Sequence, residues 1–316
     1  MCYTLGVIER SITLRRQSTG ELVTYEFESL AVDGLVHAVF TRLGGVSRGP
    51  FATLNVGSNV GDDESALAEN HARIYAHLGT RGDRVASARQ VHGNRVAEVR
   101  AAGGGQVQPN TDGLVTRTPE TGLLLRFADC QPVLLYDPEK HALGLVHAGW
   151  RGVAQGIARR AVEAMRKAFG SRPEALLAGL GPAIGPCHYT VGKEVAAVMA
   201  YALPDWKEAM LPDGDGWRLD LSVANAQQLA AAGVHQVEQA GLCTVCHSDE
   251  FFSHRADNGR TGRFATVAYL RQRDGEGDQR VAGEDMPGAG PEDEANRPAP
   301  HPPGLPGFQE PLEGKS

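Results

Sequence analysis

The sequence predicts an α/β protein in which a mixed β-sheet is packed by helices. Short apolar runs typical of strands are spread along most of the chain, and helical patterns occur between some of them. The two kinds of element do not alternate regularly. Because regular βα alternation is what builds a parallel sheet, the irregular order favours a sheet that contains both strand directions.

The first predicted strands lie near the N-terminus, where residues 11–30 form a small β-hairpin that turns at Ser18-Thr19-Gly20. Further strands are predicted wherever apolar or β-branched residues lie between turn residues. These runs cover residues 36–40, 85–91, 96–99, 123–127, 133–136, 142–146, 176–180 and 264–270.

Helices are predicted from apolar spacing and from start and stop residues. The first begins at Asp62-Asp63-Glu64 and stops at Gly79, and the clearest covers residues 153–169 before Gly170. Asp220 is well placed to cap the last helix, since aspartate accepts hydrogen bonds from the first free N–H groups. The other two helices are predicted near 193–203 and 222–232.

Composition excludes several classes of function. The formal net charge is −7, so no basic surface is expected for nucleic acid or an anionic membrane. No apolar run reaches the length of a transmembrane helix, and the first thirty residues lack a signal-peptide core. The five cysteines are odd in number and few for the length, which favours a reducing, cytoplasmic location over a disulfide framework.

The chain is predicted to have three parts. Residues 1–30 form a peripheral β-ribbon, residues 31–272 form the main domain, and residues 273–316 form a tail. Eight of the 18 prolines lie in the tail, together with acidic runs and a single aromatic residue. Such a composition cannot bury enough apolar surface to offset its ordering entropy, so a disordered tail is predicted.

Residues 127–152 contain two apolar runs around the turn sequence Asp137-Pro138-Glu139-Lys140. Proline suits the second position of a type I turn, so a β-hairpin is predicted. If the turn centres in the middle of this sequence, Cys130 and His147 are directly opposite each other, with Cβ atoms about 5 Å apart. A thiolate and an imidazole so placed could share a metal ion or act as a nucleophile–base pair.

A third candidate is His92, which lies beside a Gly-Asn turn at the end of a strand-like run. Without it, Cys130 and His147 would suit a cysteine hydrolase in which the imidazole activates the thiol. With it, three N and S ligands and a fourth position left to water are typical of catalytic zinc, which lowers the pKa of a coordinated water to about 7. The spacing alone does not decide between these two sites.

Two other cysteine motifs are less informative. Cys243-Thr-Val-Cys-His247 matches a haem-attachment pattern, but no second C-x-x-C completes a zinc site, so we interpret it as a chance occurrence. Cys187-His188 follows a proline as in zinc deaminases, yet position 190 is threonine and no His-x-Glu motif precedes it. That deaminase family is therefore excluded.

Several long motifs occur together in an order that resembles the YfiH-like family, whose members are described as laccase-domain or polyphenol oxidoreductase proteins and as purine nucleoside phosphorylases. The resemblance covers about residues 33–271. The motifs are Thr41-Arg-Leu-Gly-Gly-Val-Ser47, Leu54-Asn-Val-Gly57, Gln90-Val-His-Gly93, Ala128-Asp-Cys130, His147-Ala-Gly-Trp-Arg-Gly152, Gly181-Pro-Ala-Ile-Gly-Pro186 and Thr261-Gly-Arg263.

The resemblance implies a four-layer α/β/β/α sandwich with mixed sheets. It also implies a metal site whose ligands are His92, Cys130 and His147, holding Zn²⁺ or alternatively Cu²⁺. The implied activity is phosphorolysis of adenosine, inosine, guanosine and methylthioadenosine, together with deamination of adenosine. The expected partners are therefore a small-molecule nucleoside and phosphate, and a monomer or weak homo-oligomer is expected.

Phosphorolysis requires cationic groups for the phosphate, and Arg42, Arg151 and Arg255 are the candidates. The N-terminus of the helix predicted at 153–169 would assist them. Asp129, next to the cysteine, either orients a ligand histidine or merely ends a strand.

Two other functions remain open. One branch of the family is described as peptidoglycan editing factors, in which Cys130 and His147 would serve a hydrolase acting on a muramoyl precursor. The second is copper-dependent oxidation of phenolic compounds. That reaction ranks last, because one set of three ligands cannot hold a multicopper cluster and the sequence contains no His-x-His pairs.

Overall fold

The computed structural model describes residues 14–100 and 105–273, and within them sixteen strands form three sheets. The strands are β1 (Arg15–Thr19), β2 (Leu22–Glu26), β3 (Leu35–Phe40), β4 (Val85–Ala88), β5 (Val96–Glu98), β6 (Val107–Gln108), β7 (Gly113–Thr116), β8 (Gly122–Phe127), β9 (Gln131–Asp137), β10 (Ala142–Ala148), β11 (Leu177–Leu180), β12 (Thr190–Val191), β13 (Met210–Asp213), β14 (Gly216–Leu219), β15 (Gln236–Gln239) and β16 (Phe264–Leu270). The helices are α1 (Glu64–Leu78), α2 (Trp150–Ala154), α3 (Ile157–Phe169), α4 (Lys193–Ala202), α5 (Trp206–Ala209) and α6 (Leu221–Ala231).

Two large mixed sheets form the centre of the molecule. The seven-stranded sheet has the order β1-β2-β3-β16-β8-β4-β6, and the six-stranded sheet has the order β15-β11-β9-β10-β7-β5. Most neighbouring strands are antiparallel, but β4 runs parallel to β6 and β8, and β5 runs parallel to β7. A small sheet of order β12-β14-β13 completes the structure. The prediction of mixed sheets is confirmed.

Three apolar clusters separate four layers. One lies between the six-stranded sheet and helices α2 to α6, a second lies between the two large sheets, and a third lies between the seven-stranded sheet and α1. Strand β8 shows how the sequence builds this arrangement. Leu123 and Leu125 are buried between the sheets, whereas Leu124 faces the α1 side, because successive side chains of a strand point to opposite faces. The α/β/β/α sandwich is therefore confirmed.

Most predicted element ends are close to those observed. Helix α1 has Asp63 as its N-cap, whose side chain accepts a hydrogen bond from the Ala66 N–H, and it ends at Gly79 in the left-handed conformation. Asp220 caps α6 by accepting from the N–H groups of Ser222 and Val223. These capping predictions are confirmed, as is the final strand, which spans residues 264–270.

The β9–β10 hairpin has a different register from the predicted one. His147 is opposite Pro132 rather than Cys130, because the loop comprises the four residues 138–141. The Asp137 side chain accepts hydrogen bonds from the N–H groups of residues 139 and 140, and residue 141 has a φ of 47°. The observed partner of His147 is two residues away from the predicted one. Because a shift by an even number of residues leaves each side chain on the same face of the sheet, Cys130 and His147 still lie on one side of it.

The helix predicted over residues 153–169 is divided. Gly156 adopts a left-handed φ of 76° and separates the short α2 from α3, which begins at Ile157. Glycine tolerates this conformation at no steric cost. The long helix therefore begins further along the chain than expected, at Ile157, and the helix that begins beside His147 and Arg151 is the short α2, whose N-cap is Gly149.

The N-terminal hairpin β1–β2 pairs with β3 and forms the edge of the seven-stranded sheet. The division at residue 30 and the other domain boundaries stay predictions. The predicted tail lies outside the described residues, apart from residue 273. No described helix is long and apolar enough to cross a membrane.

Buried His37 on β3 predicts an acid-sensitive fold. Its Nε2 atom accepts a hydrogen bond from the Phe27 N–H at 2.9 Å, and burial lowers its pKa from 6.5 to about 4. Since the folded-state pKa is depressed, the contribution of neutral His37 to the free energy of unfolding is complete above pH 6.5 and is lost as the pH falls toward 4. A shift of this size corresponds to about 3 kcal/mol of stability.

The His37→Gln substitution keeps an acceptor but removes the titration. Urea unfolding at pH 7 and near pH 4 should show a smaller acid-induced loss of unfolding free energy in His37→Gln than in the wild type. Equal losses in both proteins would mean that other groups cause the acid sensitivity.

Candidate metal centre

A pocket of about 820 Å³ opens between the ends of the two large sheets. Its wall comes from the loop that follows β4, the connection between β8 and β9, the end of β10, and two loops nearer the C-terminus. The side chains of His92, Cys130 and His147 all line this pocket. Their ligating atoms lie within 4.8 Å of one another. The structure thus brings together the three residues predicted to bind metal.

His147 is fixed by a buried carboxylate. It lies near the end of β10 with 4% of its surface exposed, and its Nδ1–H donates to Asp112 Oδ1 at 2.9 Å. Asp112 is fully buried, and its carbonyl oxygen also accepts the His147 N–H at 2.7 Å. With Nδ1 occupied, the Nε2 atom of His147 is the nitrogen available to a metal ion.

The same carboxylate holds the loop that carries His92. Asp112 oxygens accept hydrogen bonds from the backbone N–H groups of Val91, His92 and Gly93 at distances between 2.8 and 3.2 Å. His92 has a φ of 58°, a conformation that non-glycine residues rarely adopt. Three N–H groups directed at one carboxylate offset that strain. Asp112 therefore positions two of the three candidate ligands.

Cys130 completes the group from the β8–β9 connection. The rings of His92 and His147 lie edge to face with centroids 4.9 Å apart. A Cβ atom at Gly149 would lie 2.6 Å from the Cys130 sulfur and 3.3 Å from Cδ2 of His92. Only glycine therefore leaves room for the three ligands to converge, which explains the glycine in the His147-Ala-Gly motif.

The charges of these side chains favour metal binding. Burial acts to raise the pKa of Cys130, but attraction to His147 and hydrogen bonds from both histidines outweigh it and lower the pKa. Burial likewise acts to lower the pKa of His147, and the opposing charges of Cys130 and Asp112 raise it. The thiolate is the form that ligates metals, and a cation would replace the proton that His147 shares with Cys130.

The donor set fits one metal ion with an open position. Two imidazoles and one thiolate line the pocket, and a set of three N and S donors with a fourth position open to water is typical of catalytic zinc. Zinc suits such donors, and copper also binds imidazole and thiolate. In the described part of the chain, the groups of His, Cys, Asp or Glu side chains that could hold a metal are this one and a set near Cys187. Neither supplies the histidine-rich ligands of a multicopper cluster.

Two of the three arginines predicted to bind phosphate line the pocket, and the third does not. Arg151 lies over the Trp150 ring at 4.7 Å, Arg255 lies over Tyr189 at 5.2 Å, and both line the pocket. Arg42 does not line it. The Arg42 guanidinium donates to the carbonyl oxygens of residues 52 and 248, and the side chain packs on the Phe252 ring. The placement of Arg42 in the site is therefore not supported, because its donors bind backbone elsewhere.

Asp129 does not orient a ligand histidine. Its two carboxylate oxygens accept from the Thr244 hydroxyl and from the Arg255 N–H, both at 2.7 Å. It therefore fixes the segment that carries Arg255, and Asp112 takes the role considered for Asp129. Asp112 is not identifiable from the sequence, because its partners are 19–35 residues away along the chain.

Sequence reasoning also missed the arginines at positions 89, 126 and 263, all of which line the pocket. Arg126 offers a detectable signal, because it is the charged residue in the otherwise apolar strand Gly-Leu-Leu-Leu-Arg-Phe127. It donates to the carbonyl oxygens of Val56 and Ala88. Arg263 donates to the carbonyl oxygens of residues 261 and 262. In the described part of the chain, none of the five pocket arginines forms an ion pair.

The structure gives Cys243-Thr-Val-Cys246 two neighbouring candidate ligands, so the interpretation of this motif as a chance occurrence is not supported. Cys187 and His188, from the loop after β11, lie against it, and the four ligating atoms are within 4.8 Å of one another. The sequence contains no second C-x-x-C because the other two candidate ligands, Cys187 and His188, are adjacent to each other.

Comparison with known proteins identifies the family. Residues 36–271 match the family model described as multi-copper polyphenol oxidoreductase laccase. This protein belongs to that family. A purine nucleoside phosphorylase of Deinococcus radiodurans is 42% identical over 241 residues, which cover 76% of this chain and 91% of the relative. Purine nucleoside phosphorylase YfiH of Escherichia coli is 34% identical over 237 residues, covering 75% and 94%.

Solved structures of family members have the same fold. The crystal structure of YlmD from Geobacillus stearothermophilus has a TM-score of 0.77 and 35% identity, and it covers 82% of this chain and 99% of its own. The Bacillus licheniformis hypothetical protein YfiH has a TM-score of 0.76 and 34% identity, with the same coverage. The predicted family is therefore confirmed, and the names of the relatives support an enzyme.

Replacing Gly149 tests the close approach of the ligands. We expect Gly149→Ala to reduce metal binding at the centre by about tenfold or more, because the new methyl group displaces Cys130. Metal affinity is measured by competition with a chelator, and circular dichroism reports whether the fold is kept.

Gly93→Ala is the matched control. It adds the same methyl group beside the same site, but the new atom meets only ordinary contacts of 3.6 and 3.7 Å. Equal metal affinity in the two alanine variants would contradict the steric explanation.

Proposed function

We propose that this protein is a zinc-dependent purine nucleoside phosphorylase. It would convert adenosine, inosine, guanosine or methylthioadenosine and phosphate into the free base and the ribose 1-phosphate, and it would also deaminate adenosine. One observation carries the proposal: the His92–Cys130–His147 group shares a pocket with five arginines whose guanidinium groups form no ion pair among the described residues. Relatives named purine nucleoside phosphorylase support the same reaction.

Phosphate binding follows from the charges of the pocket. Arg126 and Arg263 are half-buried and donate to neutral carbonyl oxygens. Burial lowers the pKa of both guanidinium groups because it disfavours their charge. A phosphate dianion would supply the missing negative charge, and arginine binds phosphate through paired N–H groups.

The pocket also has room and suitable surfaces for a nucleoside. Its volume of about 820 Å³ is within the range of small-molecule sites. Trp150 and Tyr189 offer aromatic faces against which a purine base can stack. Burial raises the pKa of Tyr189, so its hydroxyl stays protonated and can donate a hydrogen bond.

In the phosphorolytic step, a phosphate oxygen attacks C1′ of the ribose and the bond to the base nitrogen breaks. The electron pair leaves with the base, which takes up a proton. The pocket arginines would hold the phosphate and orient it toward C1′. His92, Cys130 and His147 would hold the zinc ion, which acts as a Lewis acid and is the group suited to deamination.

The assay uses purified metal-loaded protein with adenosine and phosphate. We expect ribose 1-phosphate together with adenine and hypoxanthine, detected by chromatography and phosphorus NMR. Cys130→Ser should lower the rate by more than about tenfold, because it removes a metal ligand.

The proposal fails if metal-loaded protein forms neither ribose 1-phosphate nor free base, or if Cys130→Ser is as active as the wild type. Metal-free protein that releases an amino acid from a muramoyl precursor would favour the editing hydrolase instead. If the purified protein contains several copper ions per chain and oxidises phenols, the copper-dependent oxidase is favoured.

Arg126→Gln tests phosphate binding separately. We expect the KM for phosphate to rise by about tenfold or more with a smaller change in kcat, since a charged hydrogen bond contributes about 1.5–3 kcal/mol. The control is Arg81→Gln, which removes an exposed guanidinium paired with Asp83 on the surface. If both variants have the wild-type KM for phosphate, Arg126 does not bind the anion.

A further inference from the structure

A second group of metal-ligating side chains lies behind the wall of the pocket. It consists of Cys187 and His188 from the loop after β11, with Cys243 and Cys246 from the turn that follows β15. Cys243 is buried, Cys187 is partly buried, and the other two residues are exposed. The metal centre described above uses none of these residues.

The distances within this group match the edges of a metal-centred tetrahedron. The sulfur atoms of Cys187 and Cys246 are 3.6 Å apart, and His188 Nδ1 lies 3.5 Å from Cys246 Sγ and 3.7 Å from Cys243 Sγ. Zinc bonds of about 2.3 Å to sulfur and 2.0 Å to nitrogen give edges of roughly 3.8 Å and 3.5 Å. The sulfur–sulfur distance is far longer than the roughly 2.05 Å of a disulfide.

The backbone is arranged to bring the two segments together. Ala183 and Cys243 form a parallel bridge, in which the Ala183 N–H donates to Leu242 O and the Thr244 N–H donates to Ala183 O. The Cys243 carbonyl oxygen accepts the N–H of residue 247, which closes the turn that carries both cysteines of the C-x-x-C. The clustering of the four ligands therefore follows from hydrogen-bonded backbone.

Gly185 supplies two further indications of a ligand site. Its N–H donates to the Cys243 sulfur at 3.2 Å, and such a donor stabilises a thiolate. A Cβ atom at this position would lie 3.1 Å from Cys243 Cβ and 3.3 Å from Cys187 Sγ. Glycine thus permits the close approach of the sulfur atoms.

We propose that Cys187, His188, Cys243 and Cys246 form a structural zinc site, separate from the His92–Cys130–His147 centre. Three thiolates and one imidazole fill all four tetrahedral positions, so no position is left for water or substrate. Closed sets of this kind are typical of structural zinc, and C-x-x-C is the usual spacing for two of its ligands.

The second zinc site would hold the pocket wall in place. Tyr189 follows His188 directly and lines the pocket. Arg255 lies over the Tyr189 ring, and its Nη1 donates to the carbonyl oxygens of His188 and Thr190 at 3.5 and 3.2 Å. Fixing the 187–188 segment therefore fixes a tyrosine and an arginine that face the substrate pocket.

Metal counting on untagged full-length protein tests this site. By elemental mass spectrometry we expect two zinc ions per chain in the wild type, one in Cys246→Ser and one in Cys130→Ser, and none in the double variant. Each single variant is the matched control of the other, because the same atom change removes a ligand from a different site.

Cobalt substitution identifies which site remains. Three of the four thiolates belong to the second site, so Cys130→Ser should keep about three quarters of the thiolate-to-cobalt absorbance and Cys246→Ser about one quarter. A larger loss of thiolate-to-cobalt absorbance in Cys246→Ser than in Cys130→Ser supports the assignment, and equal losses in the two variants contradict it.

Three results would overturn the second site. They are a single zinc ion per wild-type chain that Cys130→Ser removes, an unchanged zinc count in Cys246→Ser, or a Cys187–Cys246 disulfide in fully metallated protein. The zinc counts of the wild type and Cys130→Ser together decide the matter if Cys246→Ser fails to fold. These readouts do not depend on nucleoside phosphorolysis, so the two proposals can fail separately.

Discussion

The carboxylate of Asp112 holds the candidate metal centre together. It is fully buried at the start of β7, and it accepts hydrogen bonds from three consecutive backbone N–H groups and from the His147 imidazole. A buried carboxylate is costly unless it is fully paired, and these donors lower its pKa against the opposing effect of burial. The Asp112 side chain thus stabilises the strained backbone conformation of His92 and determines which ring nitrogen of His147 carries the proton.

The sandwich makes this convergence feasible. Cys130 lies between β8 of one large sheet and β9 of the other, so the connection between the sheets carries a candidate ligand. His147 comes from β10, which pairs with β9, and His92 comes from the loop after β4. The ends of the strands and the loops beside them therefore determine where the three candidate ligands lie. Strand β8, helix α2 and the neighbouring loops supply the arginines and aromatic residues that line the same pocket.

Strand periodicity predicted mixed sheets packed by helices, and the family resemblance implied the sandwich and the grouping of His92, Cys130 and His147, because the motifs that carry it are local features of the sequence. Sequence reasoning placed Arg42 in the site because a polar residue at a strand end is often functional, but the guanidinium binds backbone oxygens instead. Asp112 and the Cys187 group were missed for another reason. Their roles depend on contacts between segments distant in the chain, and neither spacing nor composition encodes such contacts.

The decisive measurement is the zinc affinity of the Asp112→Asn variant. We expect a loss of about 10- to 100-fold at the His92–Cys130–His147 group, because the amide carries no charge and cannot accept all of these hydrogen bonds. Asp129→Asn is the matched control, since that buried carboxylate contacts Thr244 and Arg255 and should affect zinc binding less. If a folded Asp112→Asn protein binds zinc as tightly as the wild type, Asp112 does not position the ligands.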